Sequence, residues 1–83
     1  ISNIYPNPFN PVTTVQYGCP DYDKVHIIVY DIMGREAALL VNNYQSPGLY
    51  SIDWNAKEFP SGVYFIRMTS GTFTDTRKVL LIK

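Results

Sequence analysis

Two residues in this chain carry side chains suited to nucleophilic chemistry, the single cysteine Cys19 and the single histidine His26. A thiol beside an imidazole is a nucleophile beside its general base, but such a pair needs a third group to orient the base. A full site also needs an oxyanion stabiliser or a metal with an open position. The sequence places neither next to these two residues. His26 lies between Val25 and Ile27 and reads as an ordinary strand residue on a partly exposed face. Cys19 reads as a small apolar residue in or near the core. A lone thiol makes neither an internal disulfide nor a cysteine-cluster zinc site.

The carboxylates point to turns more than to ligands. Asp21 and Asp23 flank Tyr22 in an expected loop. They would hold a cation only weakly, because the further oxygen ligands of a calcium loop are missing. Asp31-Ile32-Met33-Gly34 has Asp first and Gly fourth, the preference of a type I turn, so Asp31 is expected to bond nearby amides. The seven tyrosines raise a different chemistry, stacking on sugar rings. Tyr17, Tyr30, Tyr50 and Tyr64 fall where a core needs bulk, whereas Tyr5, Tyr22 and Tyr44 read as loop residues. Trp54 ends an alternating segment and reads as core. No catalytic residue, metal ligand or cofactor is expected.

The elements that position these side chains read as strands. Turn signals recur at short intervals: Asn7-Pro8 and Asn10-Pro11, Pro20-Asp21, Asp31 to Gly34, Asn42-Asn43, Ser46 to Gly48, Pro60 to Gly62, and Ser70-Gly71. Between them lie short runs rich in β-branched and aromatic residues, the pattern of an all-β sandwich or barrel. Val12–Cys19 sets Val15, Tyr17 and Cys19 against Thr14 and Gln16. Lys24–Asp31 is apolar on both faces and is expected in the centre of a sheet. Glu36–Val41 follows as a strand; a helix through Ala37-Ala38-Leu39-Leu40 is the weaker alternative, being short and flanked by strands. Leu49–Trp54 gathers Tyr50, Ile52 and Trp54 on one face. Gly62–Thr69 and Thr72–Ile82 read as a hairpin across Ser70-Gly71, with Val63 to Met68 pairing with Lys78 to Ile82. Residues 1–11, with Pro6, Pro8 and Pro11, are expected to form an extended lead-in joining a preceding domain. No internal repeat is visible.

Bulk properties exclude several classes. The 83 residues make one domain, which would bury roughly 60–65% of its unfolded surface. Seven Lys and Arg balance seven Asp and Glu, so there is no basic footprint for nucleic acid. No apolar run is long enough to cross a membrane. The chain opens on Ile-Ser-Asn-Ile-Tyr and not on a signal peptide, so an exported protein would carry its signal upstream, on a longer precursor.

Taken in order, the punctuation is more specific than any one residue. Tyr5-Pro6-Asn7-Pro8-Phe9-Asn10-Pro11 is followed by Tyr30-Asp31-Ile32-Met33-Gly34-Arg35-Glu36. Then come Gly48-Leu49-Tyr50, Ile52-Asp53-Trp54 and Pro60-Ser61-Gly62-Val63-Tyr64-Phe65, and last Lys78-Val79-Leu80-Leu81-Ile82-Lys83. Over essentially its whole length the chain resembles the type A C-terminal sorting domain of the type IX (Por) secretion system of Bacteroidetes. The Ig-like domain of flagellar hook-capping proteins shares the asparagine-proline opening, the YDxxG turn, the tryptophan and the Gly-x-Tyr strand. The ending favours the sorting domain, through Pro60, Gly62 and Tyr64 and then Lys78 and Lys83. Phe65-Ile66 stands where many members carry valines.

The resemblance implies an Ig-like β-sandwich of about seven antiparallel strands. It also implies a non-catalytic export address. An upstream cargo, often a hydrolase or adhesin, would enter the periplasm and dock with the outer-membrane translocon. A sortase-like peptidase would then cut near the lead-in, leaving the cargo at the cell surface or released. Translocon recognition would rest on Pro60, Gly62, Tyr64, Lys78 and Lys83, by strand addition or by a surface patch. Asn7, Pro8, Phe9, Asn10, Pro11, Tyr30, Asp31, Gly34 and Trp54 would shape the fold. The rivals are an Ig-like spacer of an extracellular protein and a carbohydrate-binding module using Tyr22 or Tyr44.

Overall fold

The alternating segments become seven strands in a computed structural model that describes every residue from Ile1 to Lys83. They are β1 (Asn3–Tyr5), β2 (Val12–Cys19), β3 (Asp23–Asp31), β4 (Glu36–Gln45), β5 (Gly48–Asn55), β6 (Gly62–Ser70) and β7 (Phe73–Leu81). One sheet has the order β1-β2-β5 and the other β4-β3-β6-β7, and every strand pairing is antiparallel. This is a three-on-four β-sandwich, an architecture shared by Ig-like domains.

The side-chain period of two decides what each strand buries. β2 turns Val15, Tyr17 and Cys19 inward, and β3 turns Val25, Ile27 and Val29 inward. β6 adds Tyr64, Ile66 and Met68, and β7 adds Val79 and Leu81. β3 lies in the interior of its sheet, as its two apolar faces require. Tyr30 is a correction to the expected core. It shares the outer face of β3 with His26 and Ile28, half-buried, and the Arg67 guanidinium sits 5.0 Å from its ring centroid.

β4 is a strand throughout, so the helical alternative is excluded. Its irregular pattern has a local cause. Its register against β3 shifts between Ile27 and Ile28 and again between Val29 and Tyr30, so the inward positions change phase along Glu36–Val41. The strand also runs on to Gln45, which places Tyr44 in β4 and not in a loop; Tyr5 likewise ends β1.

Two hairpins follow from their turn residues. Gly34 N–H donates to the Asp31 carbonyl at 3.0 Å, with Gly34 at φ 81°. The final hairpin turns on Gly71-Thr72, one residue beyond the expected pair, with Ser70 facing Phe73. Gly71 has φ 58° and Thr72 a negative φ, which is the II′ geometry that suits the twist of paired strands. The expected pairing of Val63 to Met68 with Lys78 to Ile82 is only partly right. Val63 to Phe65 face Leu80 to Lys78, but Met68 faces Asp75, and Ile82 lies outside β7.

The lead-in does more than join. Its Phe9 is 3% exposed and packs on Trp54 with ring centroids 5.5 Å apart. Phe9→Ala is expected to lower the unfolding free energy by about 3–5 kcal/mol, the usual loss for a buried phenylalanine. Phe73→Ala, at a 54% exposed position, should cost under about 0.5 kcal/mol. Urea titration of the two variants beside the parent checks the ranking, and equal losses would remove Phe9 from the core.

Candidate functional site

The most distinctive residues gather where the lead-in, the β5–β6 corner and β7 meet. Gly62 opens β6 with φ 149°, a conformation that side chains with a Cβ rarely adopt. This lets Pro60-Ser61 turn the chain from one sheet into the other. Two residues on, Tyr64 is buried, and its hydroxyl donates to the Pro60 carbonyl at 2.6 Å. Burial, and then the nearby Asp31 charge, pushes the Tyr64 hydroxyl above its ordinary pKa. Its ring meets Trp54 edge-on at 5.2 Å and Phe59 at 6.3 Å. Pro60, Gly62 and Tyr64 thus form one corner, held from inside.

The same device occurs once more, and the sequence reading missed it. Tyr50 donates to the Ser46 carbonyl at 2.6 Å, again four residues upstream and again two residues after a positive-φ glycine, Gly48. The signal was present as Ser46-Pro47-Gly48-Leu49-Tyr50 beside Pro60-Ser61-Gly62-Val63-Tyr64.

Lys78 and Lys83 are exposed. Lys78 stands on the outer face of β7, opposite Phe65 of β6. Lys83 reaches the corner. Its backbone N–H donates to Ser61 Oγ at 3.0 Å and its ammonium to the Lys57 carbonyl at 2.6 Å. β7 is an edge strand, but its C-terminal half is covered. Asn7 Nδ2 donates to the Lys78 carbonyl at 3.1 Å, and Asn7 Oδ1 accepts from Leu80 N–H at 3.0 Å. Phe9 N–H donates to the Leu80 carbonyl at 3.0 Å, and the Phe9 carbonyl accepts from Ile82 N–H at 2.9 Å. Beyond Phe9, Asn10-Pro11 carries the chain into β2, and the Pro11 carbonyl accepts from Ala56 N–H at 2.8 Å.

Across the molecule's end from this corner lies the β3–β4 turn. Asp31 Oδ1 accepts from Met33 N–H and Arg35 N–H, both at 2.9 Å, and Oδ2 pairs with Arg35 Nε at 3.0 Å. The turn holds Ile32 and Met33 in solvent, 72% and 75% exposed. A cleft of ≈ 530 Å³ separates this turn from Phe59 to Tyr64.

The residues first considered for chemistry are not brought together. His26 is on the outer face of β3, while Cys19 points into the core from the other sheet, its polar neighbour being Gln45 Oε1 at 3.9 Å. Burial, then the Asp23 charge, pushes the thiol above its ordinary pKa, away from the thiolate. Asp23 Oδ1 accepts from Lys24 N–H, and no group of three or more His, Cys, Asp or Glu side chains is placed to share a metal ion. Tyr22 and Tyr44 stack on each other at 5.5 Å, covering one face of each ring, and Tyr5 lies in the other sheet. The three make no common platform.

The Arg35 backbone N–H, aided by its guanidinium and by Met33 N–H, holds the Asp31 carboxyl below the usual range, burial acting the other way. A lowered carboxyl stabilises the fold above the unfolded-chain value of about 3.9 and ceases to as pH falls through the folded value. Asp31→Asn should therefore lower the Tm at neutral pH, with the difference from the parent closing as the buffer is taken below pH ~3.9. Thermal melts across that range check the sign.

Residues 3–83 match the family model of the secretion system C-terminal sorting domain. Searches of the curated proteins and of the solved structures gave no match. The chain belongs to this family, the C-terminal sorting signals that send a cargo through the type IX secretion system to the cell surface or the extracellular space.

Proposed function

We propose that the secretion machinery reads this domain folded, at the corner and edge where Lys78 and Lys83 stand in solvent. The observation that carries this is a division of labour among five residues. Tyr64 is buried and bound to Pro60, and Gly62 supplies the backbone angle, so these three hold a shape. Lys78 and Lys83 are exposed, Lys83 with one bond to the Lys57 carbonyl, and both present their charge to a partner's acidic groups. The cargo precedes the lead-in, residues 1–11, crosses the periplasm before docking, and is cut from the domain near the lead-in by a sortase-like peptidase. The domain is that enzyme's substrate and catalyses nothing itself, in keeping with a core thiol and an outer-face imidazole in different sheets.

A secreted reporter fused ahead of the domain tests the division. With both Lys78→Ala and Lys83→Ala, the reporter should stay in the periplasm, while the purified domain loses less than about 0.5 kcal/mol of stability. Tyr64→Phe should do the reverse, costing about 1 kcal/mol through the lost hydroxyl bond while the reporter still reaches the medium. Normal export of the double lysine variant would move the recognition surface elsewhere.

A further inference from the structure

The two sheets turn different faces to solvent. Residues directly opposite on paired strands share a face, so the register lays out each surface. On the three-stranded sheet, Gln16 stands between Asn3 and Ser51, and Thr14 between Tyr5 and Asp53. The middle of that face is polar. On the four-stranded sheet, one row reads Glu36, Tyr30, Phe65 and Lys78 across β4, β3, β6 and β7. The next row reads Leu39, Ile28, Arg67 and Thr76. Val63 and Leu80 follow on the corner side of the first row. Ile28, Tyr30, Val63 and Phe65 are half-buried, and Leu39 and Leu80 are 50% and 38% exposed. These six make one continuous apolar patch on the outside of the sandwich, and the opposite face does without one.

The charges on this face are unpaired. The ion pairs of the molecule join Asp75 with Ile1 and Arg77, and Asp31 with Arg35. Arg67 has the Tyr30 ring at 5.0 Å and the Thr76 hydroxyl at 3.4 Å, and no carboxylate. Arg67 and Lys78 stand on the β6–β7 side, and Glu36 stands on the β4 edge. Arginine among aromatic rings is the composition that interface centres favour.

We infer that the outer face of the four-stranded sheet, centred on Tyr30 and Phe65, receives a partner surface with an apolar centre and a carboxylate placed over Arg67. The partner is a component of the secretion machinery. The inference rests on the reading that this machinery meets the domain folded, and it extends the contact from Lys78 inward across β6 and β3. The apolar area supplies the affinity. The charges set the orientation, because a partner turned end for end would bring its carboxylate to Glu36. A second copy of this chain is the poorer occupant. A two-fold axis along the strands between β3 and β6 would lay Glu36 over Lys78, but it would also set the two Arg67 side chains face to face.

The test uses the secreted reporter fused ahead of the domain. Arg67→Glu reverses one charge at an exposed position, and Phe65→Thr removes a ring while keeping a β-branched residue in the strand. Each should cut the reporter in the medium at least tenfold, with the fusion intact in the periplasm and the purified domain folded by thermal melt. Leu49→Thr, which removes a 91% exposed leucine from the other sheet, should export at the parent level. If Phe65→Thr melts below the growth temperature, Leu39→Thr takes its place at a position of 50% exposure. Parent-level export of Arg67→Glu or of the folded apolar variant overturns the inference, as does an equal loss in Leu49→Thr. The lysine pair separates this inference from the reading it rests on. Retention with Lys78→Ala and Lys83→Ala, beside normal export of Arg67→Glu and Phe65→Thr, leaves the corner and edge standing and overturns the sheet face. Retention with Arg67→Glu and Phe65→Thr, beside normal export of the lysine pair, supports the sheet face and overturns the corner.

Discussion

Phe9 against Trp54 is the contact on which the rest depends. The ring of Phe9 belongs to a segment outside both sheets, while Trp54 lies on β5 of the three-stranded sheet. Tyr64, from the four-stranded sheet, meets the same indole edge-on. Three parts of the chain thus converge on one side chain. The backbone of Phe9 meanwhile satisfies Leu80 and Ile82. Burial of one ring therefore places the peptide groups that close an edge strand, and the two effects cannot be separated by a single substitution at Phe9. Trp54 Nε1 is buried with no hydrogen-bond partner, so its indole is held by shape and ring packing alone.

Where side chains obey a simple period, the fold was legible from residue types. Val15, Tyr17 and Cys19 on β2, and Tyr50, Ile52 and Trp54 on β5, face the interior as alternation requires. β4 shows the limit. Its two register shifts break the alternation, and no composition rule signals where an unpaired residue will fall. Tyr30 shows another limit. An apolar residue on a central strand is not thereby a core residue, because a two-layer sandwich covers only one face of each sheet. Asp31 and Gly34 were legible because turn chemistry is local, acting over a few residues.

The site was legible in part. Pro60, Gly62 and Tyr64 stand together as expected, since they are neighbours in sequence. The meeting of Asn7 with Lys78 and Leu80 was not, because it joins residues more than 70 positions apart through a side chain acting as backbone. The β7 edge is consequently covered along its C-terminal half. Its free groups lie toward the hairpin at Gly71-Thr72, and its covered groups toward Lys83.

The lead-in also fixes how the domain bears tension. Cargo attached ahead of the lead-in transmits any pull first to Ile1, held by Asp75 and Arg77 of β7, and to Ser2 and β1, held by β2. β2 takes the load through that pairing, and once β1 yields it passes to Asn7 and Phe9 and through them to the C-terminal half of the last strand. The lead-in acts as a mechanical fuse that opens from its N-terminal end along both sheets. Its failure under a pull would release the first eleven residues as slack and leave the core strands β2 to β7 still paired with one another.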